Sequence, residues 1–157
     1  MNGHDATTVE LGDEAATRRL GAWLAARARP GDVVALGGDL GAGKSTLARA
    51  FVRALAGPDT EVPSPTFTLV QVYDSPAGRV WHFDLYRLEE PDEALELDIE
   101  DAFADGICLI EWPDRLGRWL PARRVELTLE PGPTPEARRA RLRAFGQDDD
   151  RWKDPTA

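Results

Sequence analysis

Apolar positions along the chain fall into two periods. Val33-Val34-Ala35-Leu36 and Ile107-Cys108-Leu109-Ile110 are short, unbroken apolar runs, and runs of that length read as strands covered on both faces of a sheet. Ala16, Leu20 and Leu24 recur at helical spacing behind Asp13, which predicts a capped helix running to about Arg27. Leu47, Ala48, Phe51, Val52 and Leu55 repeat that spacing until Gly57-Pro58 stops it. Thr7–Leu11 reads as a short opening strand. Residues 67–73 and 80–84 flank the turn chemistry of Asp74-Ser75-Pro76-Ala77-Gly78 and predict an antiparallel hairpin.

Past the hairpin the pattern is more polar. An acidic helical stretch is expected from Pro91 to about Phe103, closed by Asp105-Gly106, and a short helix over Leu116 to Leu120. Val125-Glu126-Leu127-Thr128-Leu129 alternates as a half-exposed strand. Pro131-Gly132-Pro133 then separates it from a last Arg-rich helix, whose Arg138, Arg139, Arg141 and Arg143 would form a solvated face. Residues 1–146 read as a single domain, and 147–157 as a disordered acidic tail.

Length and charge narrow the function classes. A chain of 157 residues suits one core, and its formal charge of −9 argues against independent binding to nucleic acid. No apolar run is long enough to cross a bilayer, no signal-peptide pattern opens the chain, and Cys108 is the single cysteine. The expected location is the cytoplasm, with no membrane partner.

Between the first buried strand and the second helix stands Gly38-Asp39-Leu40-Gly41-Ala42-Gly43-Lys44-Ser45, followed by Thr46. Glycines at this spacing let backbone N–H groups turn inward around phosphate oxygens, and the helix presents its positive end to the same anion. Lys44 would reach the β- and γ-phosphates, and the Ser45 hydroxyl would ligate Mg²⁺. The chain holds seventeen arginines and two lysines. Lysine nonetheless stands where a compact ammonium must fit between phosphates. No guanine-reading Asn/Thr-Lys-x-Asp segment is present, so ATP is favoured by elimination. The fold class expected is α/β: a P-loop NTPase-like, three-layer fold with a central mixed, mostly parallel sheet, flanking helices and the antiparallel hairpin.

Mg²⁺ calls for a further hard oxygen ligand at the end of a buried strand. Glu111 ends the cleaner apolar run and is assigned to the metal, directly or through water. Asp84 is assigned to the metal's outer shell or to the attacking water. Those two roles are exchangeable at this level. Thr66, between a proline and an aromatic, is placed like a switch threonine sensing the γ-phosphate. His82 and Cys108 read as strand and core residues, and Trp112 either as a neighbour of the nucleotide or, equally, as an ordinary packing residue.

Four blocks together carry a family resemblance: Gly38–Ser45, Ser64-Pro65-Thr66-Phe67-Thr68-Leu69-Val70, His82-Phe83-Asp84-Leu85-Tyr86-Arg87-Leu88 and Ile110-Glu111-Trp112-Pro113. Their order and spacing closely resemble the TsaE (YjeE) family over about residues 10 to 130. The resemblance implies a bacterial ATPase of tRNA threonylcarbamoyladenosine biosynthesis. It would act on the TsaD–TsaB transferase pair in an ATP-dependent way without modifying tRNA itself. It places Lys44, Ser45 and Glu111 on ATP–Mg²⁺, Thr66 and Asp84 near the γ-phosphate, and Glu14 and Arg138 at the nucleotide from outside the central motifs. Hydrolysis is expected to be slow and partner-stimulated, since no catalytic glutamine or arginine finger stands near the loop.

Two rival readings use the same loop. A small-molecule kinase would need an acceptor pocket and usually an Arg-rich lid; the hairpin directly after the P-loop helix and the absence of a lid-like Arg segment before residue 115 disfavour it. A regulator that binds nucleotide without cleaving it would not need both Asp84 and Glu111.

Overall fold

A computed structural model describes residues 6–39, 41–147 and 150–155. Leu40 of the glycine loop and residues 148–149 and 156–157 of the tail lie outside the described residues. In chain order the regular elements are β1 (Thr7–Leu11), α1 (Glu14–Arg27), β2 (Val33–Gly37), α2 (Lys44–Ala56), β3 (Val70–Tyr73), β4 (Val80–Asp84), α3 (Ile99–Asp105), β5 (Ile107–Glu111), β6 (Arg124–Pro131) and β7 (Arg138–Phe145). Short 3₁₀ turns cover Pro91–Leu97, Pro113–Trp119 and Asp150–Trp152.

All seven strands form one sheet in the order β1-β7-β6-β2-β5-β4-β3. The sheet is mixed, as expected, but with three parallel and three antiparallel pairings it is not mostly parallel. Its parallel pairings, β6 with β2, β2 with β5 and β5 with β4, occupy the middle. The two ends, β1-β7-β6 and β4-β3, are antiparallel. β2, the strand feeding the glycine loop, therefore lies at the centre with neighbours on both sides.

Side-chain alternation divides the core into two layers around this sheet. Val34 and Leu36 of β2, with Ile107 and Leu109 of β5, pack under α1 and α2. Val33, Cys108, Ile110 and Phe83 point the other way, against Leu85 just after β4 and against Ala94, Ile99, Ala102 and Leu116 from α3 and the 3₁₀ turns. The result is three layers. Asp13 caps α1 by accepting a hydrogen bond from Ala16 N at 2.8 Å on Oδ1. α1 and α2 meet closely at Gly21, where a Cβ would fall 2.7 Å from Leu47 O.

Four further expectations need correction. The last Arg-rich segment is not a helix but strand β7, whose Ala140, Leu142 and Ala144 are buried while Arg139, Arg141 and Arg143 are exposed. Pairing with β6 on one side and β1 on the other satisfies its backbone, which outweighs the helix propensity of Arg, Ala and Leu. The solvated arginine face exists, but on a strand, where Arg139 pairs with Glu10 and Arg141 with Glu130.

The acidic stretch is broken as well. Asp98, in the left-handed region at φ 59°, separates the 3₁₀ turn Pro91–Leu97 from α3. The hairpin's first strand begins at Val70 and not at Phe67, because residues 66–69 form a turn closed by Leu69 N donating to Pro65 O at 2.6 Å.

Finally, the described part of the tail is docked. Trp152 is buried, and Arg151 makes a two-pronged ion pair with buried Asp32 at 2.5 and 2.9 Å. A buried carboxylate needs such a partner, and Arg151 and Arg123 both supply it. Among the described residues no helix is long and apolar enough to cross a membrane.

Candidate functional site

The parallel middle of the sheet brings the sequence motifs to one edge. Chain leaves β2 through Gly38 and enters α2 at Gly43; Gly38, Gly41 and Gly43 all adopt positive φ, at 133°, 80° and 97°. That backbone suits glycine. At Gly38 a Cβ would also lie 2.6 Å from Leu129 O, so the position admits no side chain.

Beside this loop lies a cleft of about 300 Å³ lined by Gly41, Gly43, Lys44, Ser45, Ser64, Thr66, Asp84, Glu111, Trp112 and Arg138. Asp84 and Glu111 end adjacent parallel strands in register with each other. Both are buried, as is Lys44. Burial pulls the Lys44 ammonium below its ordinary pKa, opposed by the charges of Glu111, Asp84, Asp39 and Asp114. Its Nζ donates to Gly38 O at 2.6 Å and sits 3.6 Å from the centroid of the Trp112 ring. Trp112 takes positive φ directly after Glu111, which turns its ring back over the loop.

The two carboxylates have different partners. His82 Nε2 and Glu111 Oε2 are 2.7 Å apart, with both side chains buried. Asp84 is held by Thr66 Oγ1, donating to Oδ2 at 3.2 Å, and by Tyr86 N, donating to Oδ1 at 3.1 Å. Thr66 Oγ1 also lies 2.6 Å from Ser64 Oγ. Behind them a recess of about 20 Å³, lined by Ser45, Ser64, His82 and Glu111 among others, has room for one water.

Arg138 joins from β7. Its Nε donates to Ala42 O at 2.8 Å and one terminal nitrogen to Gly41 O at 3.2 Å, while the other donates to Pro135 O and Ala137 O. The guanidinium thus props the glycine loop from outside. Glu14, Thr17, Gly43 and Arg138 line a smaller hollow of about 100 Å³ on that side. Glu14 is therefore brought to the loop, although it pairs with Arg18 at 3.2 Å. Asp39 is exposed on the loop, and Thr46 lies half-buried in the first turn of α2.

Three residues here exceed the sequence reading. His82 is tied to Glu111, Ser64 is paired with Thr66, and Trp112 is stacked under Lys44. Only Ser64, two positions before Thr66, left a local signal. No trio of His, Cys, Asp and Glu forms a metal cage among the described residues. The donor set of Ser45 hydroxyl plus one carboxylate instead fits a hard cation carried on a phosphate ligand. The positive-φ glycine cradle and the buried ammonium likewise fit a polyphosphate.

Comparison with known proteins gives a consistent picture. Residues 11–140 match the family model described as threonylcarbamoyl adenosine biosynthesis protein TsaE. A tRNA threonylcarbamoyladenosine biosynthesis protein TsaE from Rickettsia felis is 39% identical over 120 residues, spanning 76% of this chain and 70% of that protein. The Bacillus subtilis protein of the same name is 40% identical over 114 residues, spanning 73% and 71%. The crystal structure of Bacillus subtilis YdiB superposes with a TM-score of 0.71 at 28% identity, covering 91% of this chain and 89% of that one.

Proposed function

The chain belongs to the TsaE family, and on that premise we propose that it is an ATP–Mg²⁺-binding, slowly ATP-hydrolysing accessory protein of tRNA N6-threonylcarbamoyladenosine formation. The observation that carries the proposal is the convergence of Lys44, Ser45, Thr66, Asp84 and Glu111 on one cleft at the mouth of the glycine loop.

Bound there, ATP–Mg²⁺ would supply the phosphoanhydride to be cleaved. The loop N–H groups and the Lys44 ammonium would hold the phosphates, and Ser45 Oγ and Glu111 would hold the metal. His82 keeps Glu111 pointed along one direction. Asp84, with Thr66 on one oxygen and Tyr86 N on the other, is oriented to accept the proton of an attacking water. Arg138 spends its guanidinium on loop and chain carbonyls, so it serves as a brace and not as a free cation for the transition state. Lacking that charge, the isolated chain should turn over slowly.

The partners proposed are the TsaD and TsaB proteins, with tRNA not bound independently. Phosphate release from ATP should be slow for the isolated chain, rise on adding the TsaD–TsaB pair, and be lost with Lys44→Ala. Rapid release unaffected by the pair, or equal release by Lys44→Ala, would reject the proposal.

A further inference from the structure

Phe67 is 81% exposed, the most exposed large apolar side chain of the described residues. It follows Thr66, which lines the cleft, and sits in the turn held by Leu69 at a positive φ of 68°. The Arg87 guanidinium lies 4.6 Å from its ring centroid. Next to Arg87, Tyr86 is 41% exposed, tilts against Trp112 at 4.9 Å, and carries Arg115 over its ring at 5.8 Å. The patch is thus two exposed rings, each capped by an arginine.

Its wiring to the cleft is specific. Asp84 accepts from Thr66 on one oxygen and from Tyr86 N on the other. The residues immediately after those two donors, Phe67 and Arg87, are the ones that stack outside. A second route runs from Lys44 through Trp112 to Tyr86. Asp84 and Lys44 thus each connect to the patch through single contacts.

Among the described residues neither Arg87 nor Arg115 has a carboxylate partner, although the chain carries a charge of −9. An exposed aromatic flanked by unpaired guanidiniums is the composition of an interface hot spot. Glu89, Glu90 and Glu93 border it in sequence and repel a phosphate backbone. We propose that Phe67, Tyr86, Arg87 and Arg115 form the docking patch for a protein partner that offers an apolar recess rimmed by carboxylates. The patch reads the state of the phosphate cleft through Asp84 and Trp112. This rests on the proposed function, because the probe is the TsaD–TsaB pair.

Binding of the full chain to that pair, with ATP and Mg²⁺ present, tests it by titration calorimetry. Phe67→Ala and Arg87→Glu should each weaken binding by about 30-fold or more, with affinity for an ATP analogue unchanged in the isolated variants. Unchanged partner affinity in both variants would overturn the patch and leave the proposed function standing. Absence of binding by the wild type would overturn both. Binding of an isolated anticodon stem–loop RNA by the wild type, lost in Phe67→Ala, would assign the patch to RNA and overturn the protein partner.

Discussion

The Lys44 ammonium rests on the face of Trp112, 3.6 Å from the ring centroid, while donating to Gly38 O. Phosphate oxygens compete for the same ammonium, so nucleotide binding should alter the surroundings of that indole. ATP–Mg²⁺ is expected to change tryptophan emission in the wild type. In Trp112→Phe the change should vanish while calorimetric binding persists, because the other four tryptophans lie outside the cleft.

Glu111 depends on His82 for its orientation. His82→Phe should leave the carboxylate without that contact and reduce the apparent Mg²⁺ affinity by about 10- to 100-fold. His82→Gln, which keeps a donor, should lose only a few-fold. Mg²⁺ titrations of nucleotide binding separate the two, and equal losses in both variants would argue for a packing role.

Arg138 braces two consecutive carbonyls of the glycine loop. Arg138→Ala should weaken ATP binding by about tenfold, the loss of roughly one charge-assisted hydrogen bond. Arg138→Lys should not restore it, since one ammonium cannot reproduce the planar fork. Equilibrium titration with a nucleotide analogue checks both.

The C-terminal turn contributes to stability. Trp152→Ala should cost about 3 kcal/mol from the cavity it leaves, read as a lower urea midpoint. Arg151→Ala should also destabilise, because Asp32 keeps a buried charge with only the more exposed Arg123 near it.

Cys108 is buried, and burial, followed by the charge of Asp105, pushes its thiol from 9.0 up to about 12. Between those values the unfolded chain loses the thiol proton and the folded chain keeps it. Stability should therefore fall as pH rises above 9.0. The fall should be shallower in Cys108→Ala, and the native thiol should resist aromatic disulfide reagents until the chain unfolds.

How much of this was readable from sequence depends on whether the signal was local. The strand–glycine loop–helix unit was legible because its apolar runs, glycines and Asp13 cap are local devices. Asp84 and Glu111 were legible as strand ends, but not their different partners: His82 and Glu111 are 29 residues apart and meet only because β4 pairs with β5. β7 was misread although its arginines alternate with Ala140, Leu142 and Ala144; what decides is the pairing with β1 and β6, which no local window contains. The docked tail hangs on Trp152 and Arg151, two residues in a charged stretch whose anchor, Asp32, lies 119 positions earlier. The break at Asp98 left no residue-type signal in an otherwise helical run.

The brace between Arg138 and Ala42 spans 96 positions of sequence. During synthesis at about 5–20 residues per second, the glycine loop leaves the ribosome many seconds before its brace exists. β7, which carries the brace, is the last strand to be made and inserts between β1 and β6, both already synthesised. A growing chain thus carries the whole glycine loop without its brace, and truncated products ending before residue 138 lack the brace altogether. The glycine loop thus gains its brace only at the last stage of translation.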